Sequence, residues 1–253
     1  MKPQHIIAAA LGVMLCPYAA AGQEEAPPVA FATYYYCDQS REEAADVIFE
    51  EVLGPIFDEH VSAGHLSAWG WMGHQAGGKW RRLGYIVAAD TDVLLDTRDQ
   101  IIDELLTEHG DAAQELTAVC PSHDDYIWSS VAGSQPLSEL AEGRPDADLS
   151  TYYVCDVTRQ ARADTLVTEV FAPIFDRHVG EGEFTSWLWL SHIVGGKYRR
   201  LLGFDGADHK SILNTLETVI GEMQEEHPDE AREFGEICNS HQDYMWNILI
   251  SKP

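Results

Sequence analysis

The chain has 253 residues, enough for one large domain or two smaller ones. With 45% hydrophobic and 10% aromatic residues it can bury a real core, which excludes a disordered chain. Against 16 Lys and Arg stand 42 Asp and Glu, and the formal charge of −26 repels nucleic acid and anionic membrane surfaces over most of the molecule.

Lys2 and His5 precede an apolar run over 6–15 and then Ala19-Ala20-Ala21. A short basic region, an apolar segment and an A-x-A site make residues 1–21 a secretory signal peptide, cleaved near Ala21, and the protein is expected to be periplasmic or secreted. The run is too short for a transmembrane helix. Lipidation at Cys16 is the weaker alternative, because Leu15 is bulky where lipoprotein processing wants a small residue. Residues 22–32, with Pro27-Pro28, read as a leader. No later stretch is long and apolar enough to span a membrane.

Residues 33–131 then form a unit that recurs as 151–253, at an offset of 118 residues, the separation of Cys37 from Cys155. Identity between the two is roughly 45% over about 100 aligned positions, so both copies fold alike. Residues 33–37, rich in Tyr, read as strand one. From Arg41, Ile48, Val52 and Ile56 follow helical spacing, as do Val167, Val170 and Ile174. Pro55 and Pro173 fall inside that pattern and should kink or restart the helix. Strands two and three form a Gly-Gly hairpin, Trp69-Gly-Trp-Met-Gly-His74 then Gly77-Gly78-Lys79-Trp80-Arg81-Arg82, repeated as Trp187 to His192 and Gly195 to Arg200. Alternation puts Trp69 and Trp71 on one face and Met72 and His74 on the other. Asp90 and Asp208 are N-caps for a second helix. A third begins near Asp111 or Asp229 and ends at the second cysteine. A fourth strand, 125–131 or 243–250, carries Tyr-x-Trp. Residues 132–150, with Gly133, Pro136, Gly143 and Pro145, read as the linker.

The order β-α-β-β-α-β is the split-βαβ, ferredoxin-like unit, an α+β fold in which strand four lies antiparallel beside strand one. Cys37 ends strand one and Cys120 precedes strand four, so the expected bridges are Cys37–Cys120 and Cys155–Cys238. An even cysteine count after an export signal agrees with bridges.

The pattern Tyr-Tyr-x-Cys, a helix ending Pro-Ile-Phe-Asp-x-His-Val, then Ser-Trp before a hairpin resembles the dimeric α/β-barrel proteins, a group that includes antibiotic-biosynthesis-type monooxygenases, EthD-like and NIPSNAP-like proteins. The resemblance covers nearly the whole mature chain and is one of element order and texture. It implies that the two tandem ferredoxin-like units pair their sheets into a single-chain barrel with helices outside. It carries no catalytic residues across.

Candidate chemistry lies in the matched residues. Arg81, Arg82, Arg199 and Arg200 lie on or beside central strands, where a guanidinium needs an anionic partner. An internal salt bridge to Asp38, Asp58 or Asp125 (Asp156, Asp176 or Asp243) is one reading, and an anchor for a ligand carboxylate, phenolate or phosphate is the other. His74 should lie opposite Arg81, and His192 opposite Arg199, as an acid–base candidate held neutral by its cationic neighbour. His123 and His241, each two residues before an Asp, are further catalytic candidates, with loop capping as the alternative. His60, His178, His109 and His227 sit at helix ends and suit the dipole there. Trp69, Trp71, Trp187 and Trp189 are candidate ligand walls. No metal-binding spacing occurs and no cofactor is expected; haem, with His74 or His123 as axial ligand and Arg81 on a propionate, is the alternative.

Three functional readings stand at this point. The first is a small-molecule pocket acting on an anionic aromatic ligand, by cofactor-independent oxygenation or isomerisation as the resemblance implies. The second is a non-enzymatic periplasmic structural or interaction module. The third is a haem or metal binder. The sequence leaves the choice between monomer and dimer open.

Overall fold

The computed structural model describes residues 26–141 and 143–253, and the expected signal peptide and Cys16 lie outside them. The first repeat runs β1 (Val29–Tyr36), α1 (Glu42–Ile48), a π-helical turn (Phe49–Leu53), α2 (Gly54–Ser62), β2 (Ala68–Gly77), β3 (Arg82–Ala88), α3 (Thr91–Glu108), α4 (Gly110–Val119) and β4 (Ser122–Gly133). The second repeats this as β5 (Ala147–Val154), α5 (Gln160–Thr165), a π turn (Leu166–Phe171), α6 (Ala172–Gly180), β6 (Ser186–Val194), β7 (Arg200–Gly206), α7 (His209–Glu226), α8 (Pro228–Ile237) and β8 (Ser240–Lys252). The proline expectation takes a specific form: Pro55 and Pro173 sit in the first turn of α2 and α6, directly after the wider π turn. Asp90 accepts from Val93 N–H and Asp208 from Ser211 N–H, so both N-caps are as expected.

All eight strands are antiparallel and close into one barrel, in the order β1-β3-β2-β8-β5-β7-β6-β4. Within a repeat β1 lies between β3 and β4, as the ferredoxin-like unit requires. The seams between repeats are β2 with β8 and β4 with β6, so no strand is left as an open edge. The hairpin glycines make these seams possible. Gly77 has φ +123°, and a Cβ there would lie 2.4 Å from the Asp243 carbonyl oxygen; Gly195 has φ +142°, and its Cβ would lie 2.3 Å from the Tyr126 ring. Only glycine meets both demands.

The period-2 pattern of the strands splits the core into three layers. Inward residues fill the barrel with aromatics, among them Tyr34, Trp80, Tyr126, Trp128, Tyr152, Tyr198, Tyr244 and Trp246. Outward residues of each repeat meet that repeat's helices in two further layers. Cys37–Cys120 and Cys155–Cys238 are bridged, each with Cα atoms 3.9 Å apart, and tie the end of the first strand of each repeat to the start of the last.

Two boundaries differ from expectation. β1 and β5 begin at Val29 and Ala147, because the alternating residues before each Thr-Tyr-Tyr also pair with the neighbouring strands. The connection between repeats is therefore 134–146 rather than 132–150. It is not a plain surface linker: Leu137, Leu140 and Ala141 are buried against the barrel interior.

Candidate functional site

Each repeat holds a cavity between the outer face of its sheet and its helices, of about 380 Å³ in the first and about 390 Å³ in the second. The register explains its floor. Tyr35 faces His123 and Thr33 faces Asp125 across β1 and β4; Tyr153 faces His241 and Thr151 faces Asp243 across β5 and β8. The Tyr35 and His123 ring centroids are 5.8 Å apart, and those of Tyr153 and His241 5.6 Å. Roof and sides are apolar, from Phe49, Phe57 and Leu105 in the first cavity and Phe171, Phe175 and Met223 in the second.

At one end of each cavity stands a histidine–aspartate pair. His123 Nε2 lies 3.4 Å from Asp125 Oδ2, and His241 Nε2 lies 3.6 Å from Asp243 Oδ2, all four side chains being partly exposed. Thr151 Oγ1 donates to Asp243 Oδ1 at 2.8 Å, whereas Asp125 Oδ1 is buried with no partner among the described residues. Burial raises the Tyr35 and Tyr153 hydroxyls well above the ordinary phenol range, so both stay protonated donors. The cavities differ in charge. The first includes Arg98, whose guanidinium sits 4.5 Å above the Phe31 ring; the second has Leu216 at the matching position and no Lys or Arg in its lining.

The tryptophans expected as ligand walls lie elsewhere. Trp69, Trp71, Trp187 and Trp189 point outward as alternation requires, but they are fully packed beneath α1, α2, α5 and α6. Their indole N–H groups donate to Asp58, Asp46, Asp176 and Asp164. Trp71 also stacks on Phe49, with centroids 3.7 Å apart. They are structural rings, and none of the four lines either cavity.

The arginines have internal partners, though not the ones expected. Arg82 forms a fork on Asp46, with Nε–Oδ1 at 2.6 Å and Nη2–Oδ2 at 2.7 Å, and its Nη1 reaches Glu42 at 2.9 Å. Arg200 does the same on Asp164, both contacts at 2.6 Å, with Nη1 on Gln160 at 2.8 Å. Arg81 Nε bonds Glu42 at 2.5 Å. The first turn of α1 or α5 passes over the start of the third strand, which brings these acids to the arginines. Asp38 and Asp156 are instead turned onto Ser40 and Thr158, Asp58 and Asp176 hold tryptophans, and Asp125 and Asp243 face histidines. Asp46 and Asp164 are a matched pair in the repeat, a signal sequence reasoning passed over.

His74 does lie opposite Arg81, and His192 opposite Arg199. Arg81 Nη1 donates to His74 Nδ1 at 2.7 Å, and Arg199 Nη1 to His192 Nδ1 at 3.1 Å. Since arginine only donates, Nδ1 is the acceptor and the proton sits on Nε2. Burial, then the adjacent arginine, lowers both pKa values below the ordinary histidine range. This geometry leaves neither ring a free lone pair with which to act as a base. Both rings sit beside the aromatic interior, His74 near Tyr244 and Trp246, and not in the cavities.

One buried cluster had no sequence signal. Arg144, from the connection between repeats, bonds Asp205 through Nε at 2.9 Å and Nη2 at 3.0 Å, Asp148 at 3.4 Å and the Tyr85 hydroxyl at 3.0 Å. The matching positions in the first repeat, Ala30 and Val87, are apolar. Two of the helix-end histidines have side-chain partners: His60 Nδ1 lies 3.1 Å from His65 Nδ1, and His178 is held by Glu183 and Glu222. Among the described residues, Glu104–Glu108–His109 and His178–Glu181–Glu183 have metal-ligand proximity, but both nitrogens of His178 already meet carboxylates.

No family model matches this chain, and no curated protein does. Solved structures match at the level of fold. An anthrone oxidase-like protein superposes with a TM-score of 0.58 at 9% identity, over 90% of this chain and 94% of that one. A candidate monooxygenase from Lactobacillus acidophilus NCFM gives 0.57 at 7%, over 89% and 95%. A chlorite dismutase variant of Candidatus Nitrospira defluvii, in complex with cyanide, gives 0.53 at 9%, over 89% and 92%. The chain thus has the dimeric α/β-barrel fold, with both ferredoxin-like units in one polypeptide.

Proposed function

We propose that this is an exported protein that binds a flat, largely apolar small molecule in each of its two matched cavities, and that His123 and His241 are the acid–base groups. The observation that carries this reading is the repeated cavity itself, apolar on its sides and ended in both copies by Tyr, His and Asp. Pockets of this size and texture suit a small aromatic ligand. Proteins of the same fold include an anthrone oxidase-like protein and a candidate monooxygenase, and the reaction we propose is an oxygenation without a cofactor, with isomerisation as the alternative. In either, the imidazole would take an acidic phenolic or enolic proton, and the adjacent carboxylate would stabilise the imidazolium. The ligand then enters neutral and becomes anionic only in place. A permanently charged anion is disfavoured, because the second cavity has no cation and each has a carboxylate. The two disulfides support the reading of an exported protein, and among the described residues no helix is long and apolar enough to cross a membrane.

Haem fits poorly. In the second cavity its propionates would find no cation, since the lining holds no Lys or Arg. Arg81, the expected propionate partner, is engaged by Glu42.

The test is titration with a neutral fluorescent naphthylamine. Two sites per chain are expected, with Leu105→Trp filling the first cavity and Met223→Trp the second, each removing one site. Unchanged stoichiometry in both variants would defeat the proposal. A ligand that still binds in a His123→Ala/His241→Ala variant but is no longer turned over separates binding from chemistry.

A further inference from the structure

The repeat makes a controlled comparison of the two hairpins possible. In the first, two arginines face two carboxylates: Arg81 and Arg82 share Glu42, and Arg82 takes Asp46. In the second, the residue matching Glu42 is Gln160, and its amide oxygen is used by Arg200. Arg200 keeps its fork on Asp164, but Arg199 has no carboxylate partner among the described residues. Among the described residues its only side-chain bond is from Nη1 to His192 Nδ1. Among the described residues Arg199 Nε is buried with no acceptor, whereas Arg81 Nε bonds Glu42; the Nε2 atoms of His74 and His192 are buried without partners in both hairpins alike. The first hairpin is neutral as a cluster; the second carries one unmatched positive charge and one further buried donor, Arg199 Nε.

We infer that Arg199 binds a small oxyanion at its guanidinium edge, which supplies the negative charge that Glu42 gives Arg81 and that the neutral Gln160 does not give Arg199. Chemistry limits the class. The guanidinium edge presents parallel N–H groups that match two oxygens of a carboxylate, sulfate or phosphate, and it discriminates against halide, which offers no such pair. The site holds one ligand per chain, because Glu42 already satisfies the first hairpin. It lies at the β6–β7 hairpin near the first turn of α5, and Arg199 lines neither of the cavities proposed above. The high negative charge of the whole molecule makes the unmatched cation more telling, since the surrounding field would attract cations rather than anions.

The test uses the intact mature protein. Acetate, sulfate and phosphate are titrated by calorimetry and thermal unfolding at constant ionic strength, against chloride. One saturable site is expected, with the melting temperature rising only for the oxyanions; a preference for acetate or for the tetrahedral ions tells a carboxylate ligand from a sulfate or phosphate. Gln160→Glu should abolish the site while raising the melting temperature without ligand. Glu42→Gln should create a second site and raise the stoichiometry from one to two. Equal responses to chloride and to every oxyanion would overturn the inference, as would oxyanion binding that Gln160→Glu leaves unchanged.

Discussion

Replacing Arg144 by methionine tests the cluster buried in the barrel. The guanidinium and the Asp148 and Asp205 side chains are 4%, 3% and 3% exposed, so water screens them very little. Removing one partner of a buried ion pair typically costs about 3–5 kcal/mol, because the remaining charge is stranded. Methionine keeps most of the stem, so lost packing contributes little. Ser150 and Ser186 still donate to the two carboxylates, which favours the lower end of that range. The cost should depend on pH. Even with Arg144 present, burial and then the charge of Asp205 push Asp148 up to about 8. A raised carboxyl favours the folded state at low pH, and that advantage is lost as pH rises from the unfolded value, about 4, through the folded one. The variant must hold a further proton, so its deficit should shrink by up to about 4 kcal/mol between pH 8 and pH 5, at 1.36 kcal/mol per unit. Urea unfolding at pH 5, 6.5 and 8, with disulfides intact, measures this. A deficit below about 1 kcal/mol at pH 8, or one that is the same at all three values, would refute the argument.

Further outcomes follow from the same contacts. Asp148→Asn should gain stability over the native chain as pH rises from 5 to 8 and gain little near pH 4, which paired melting curves would detect. Gly77→Ala should lose well over about 1 kcal/mol, since its Cβ would overlap backbone at a positive φ, while Gly64→Ala, with open space around it, should lose only the φ strain. Converting Cys37 and Cys120 to serine should cost about 4–5 kcal/mol, from the long loop between them, in denaturant titration. His178 is destabilised as a cation by burial, but Glu222 and Glu183 outweigh that and raise its pKa. Its contribution is therefore complete below about pH 6.5 and disappears as pH rises through the folded value. His178→Gln should lower the melting temperature at pH 5.5 more than at pH 8.5.

Much of the fold was legible because its signals are local or repeated. The tyrosines of β1 and β5, the aspartate N-caps, Pro55 and Pro173, and the Gly-Gly turns each set backbone geometry within a few residues. The ferredoxin-like order then placed the ends of the first and fourth strands together, which is why the cysteine pairing could be read in advance. The candidate site was only partly legible. Alternation correctly put Trp71 and His74 on opposite faces, but it could not say which face a cavity occupies. Trp71 proved to be packed beneath α1, and His74 to be tied to Arg81. Tyr35, Arg98 and Leu105 come from three separate elements, and only the register and helix docking bring them around His123.

The sequence alone determined two copies of a βαββαβ unit, their bridged cysteines, and an alternation that separates inward from outward rings. These follow from short-range sterics and periodicity, which act before distant parts meet. Tertiary structure decided the partners of the charges. Glu42 and Gln160 occupy equivalent helix positions and differ by one oxygen for one nitrogen, yet only the folded hairpins reveal that the first neutralises Arg81 and the second leaves Arg199 without a carboxylate. Likewise Arg144 looks like a linker residue until barrel closure buries it between Asp148 and Asp205. Charge pairing is set by distance in space and by exclusion of water, and neither exists until the chain has closed.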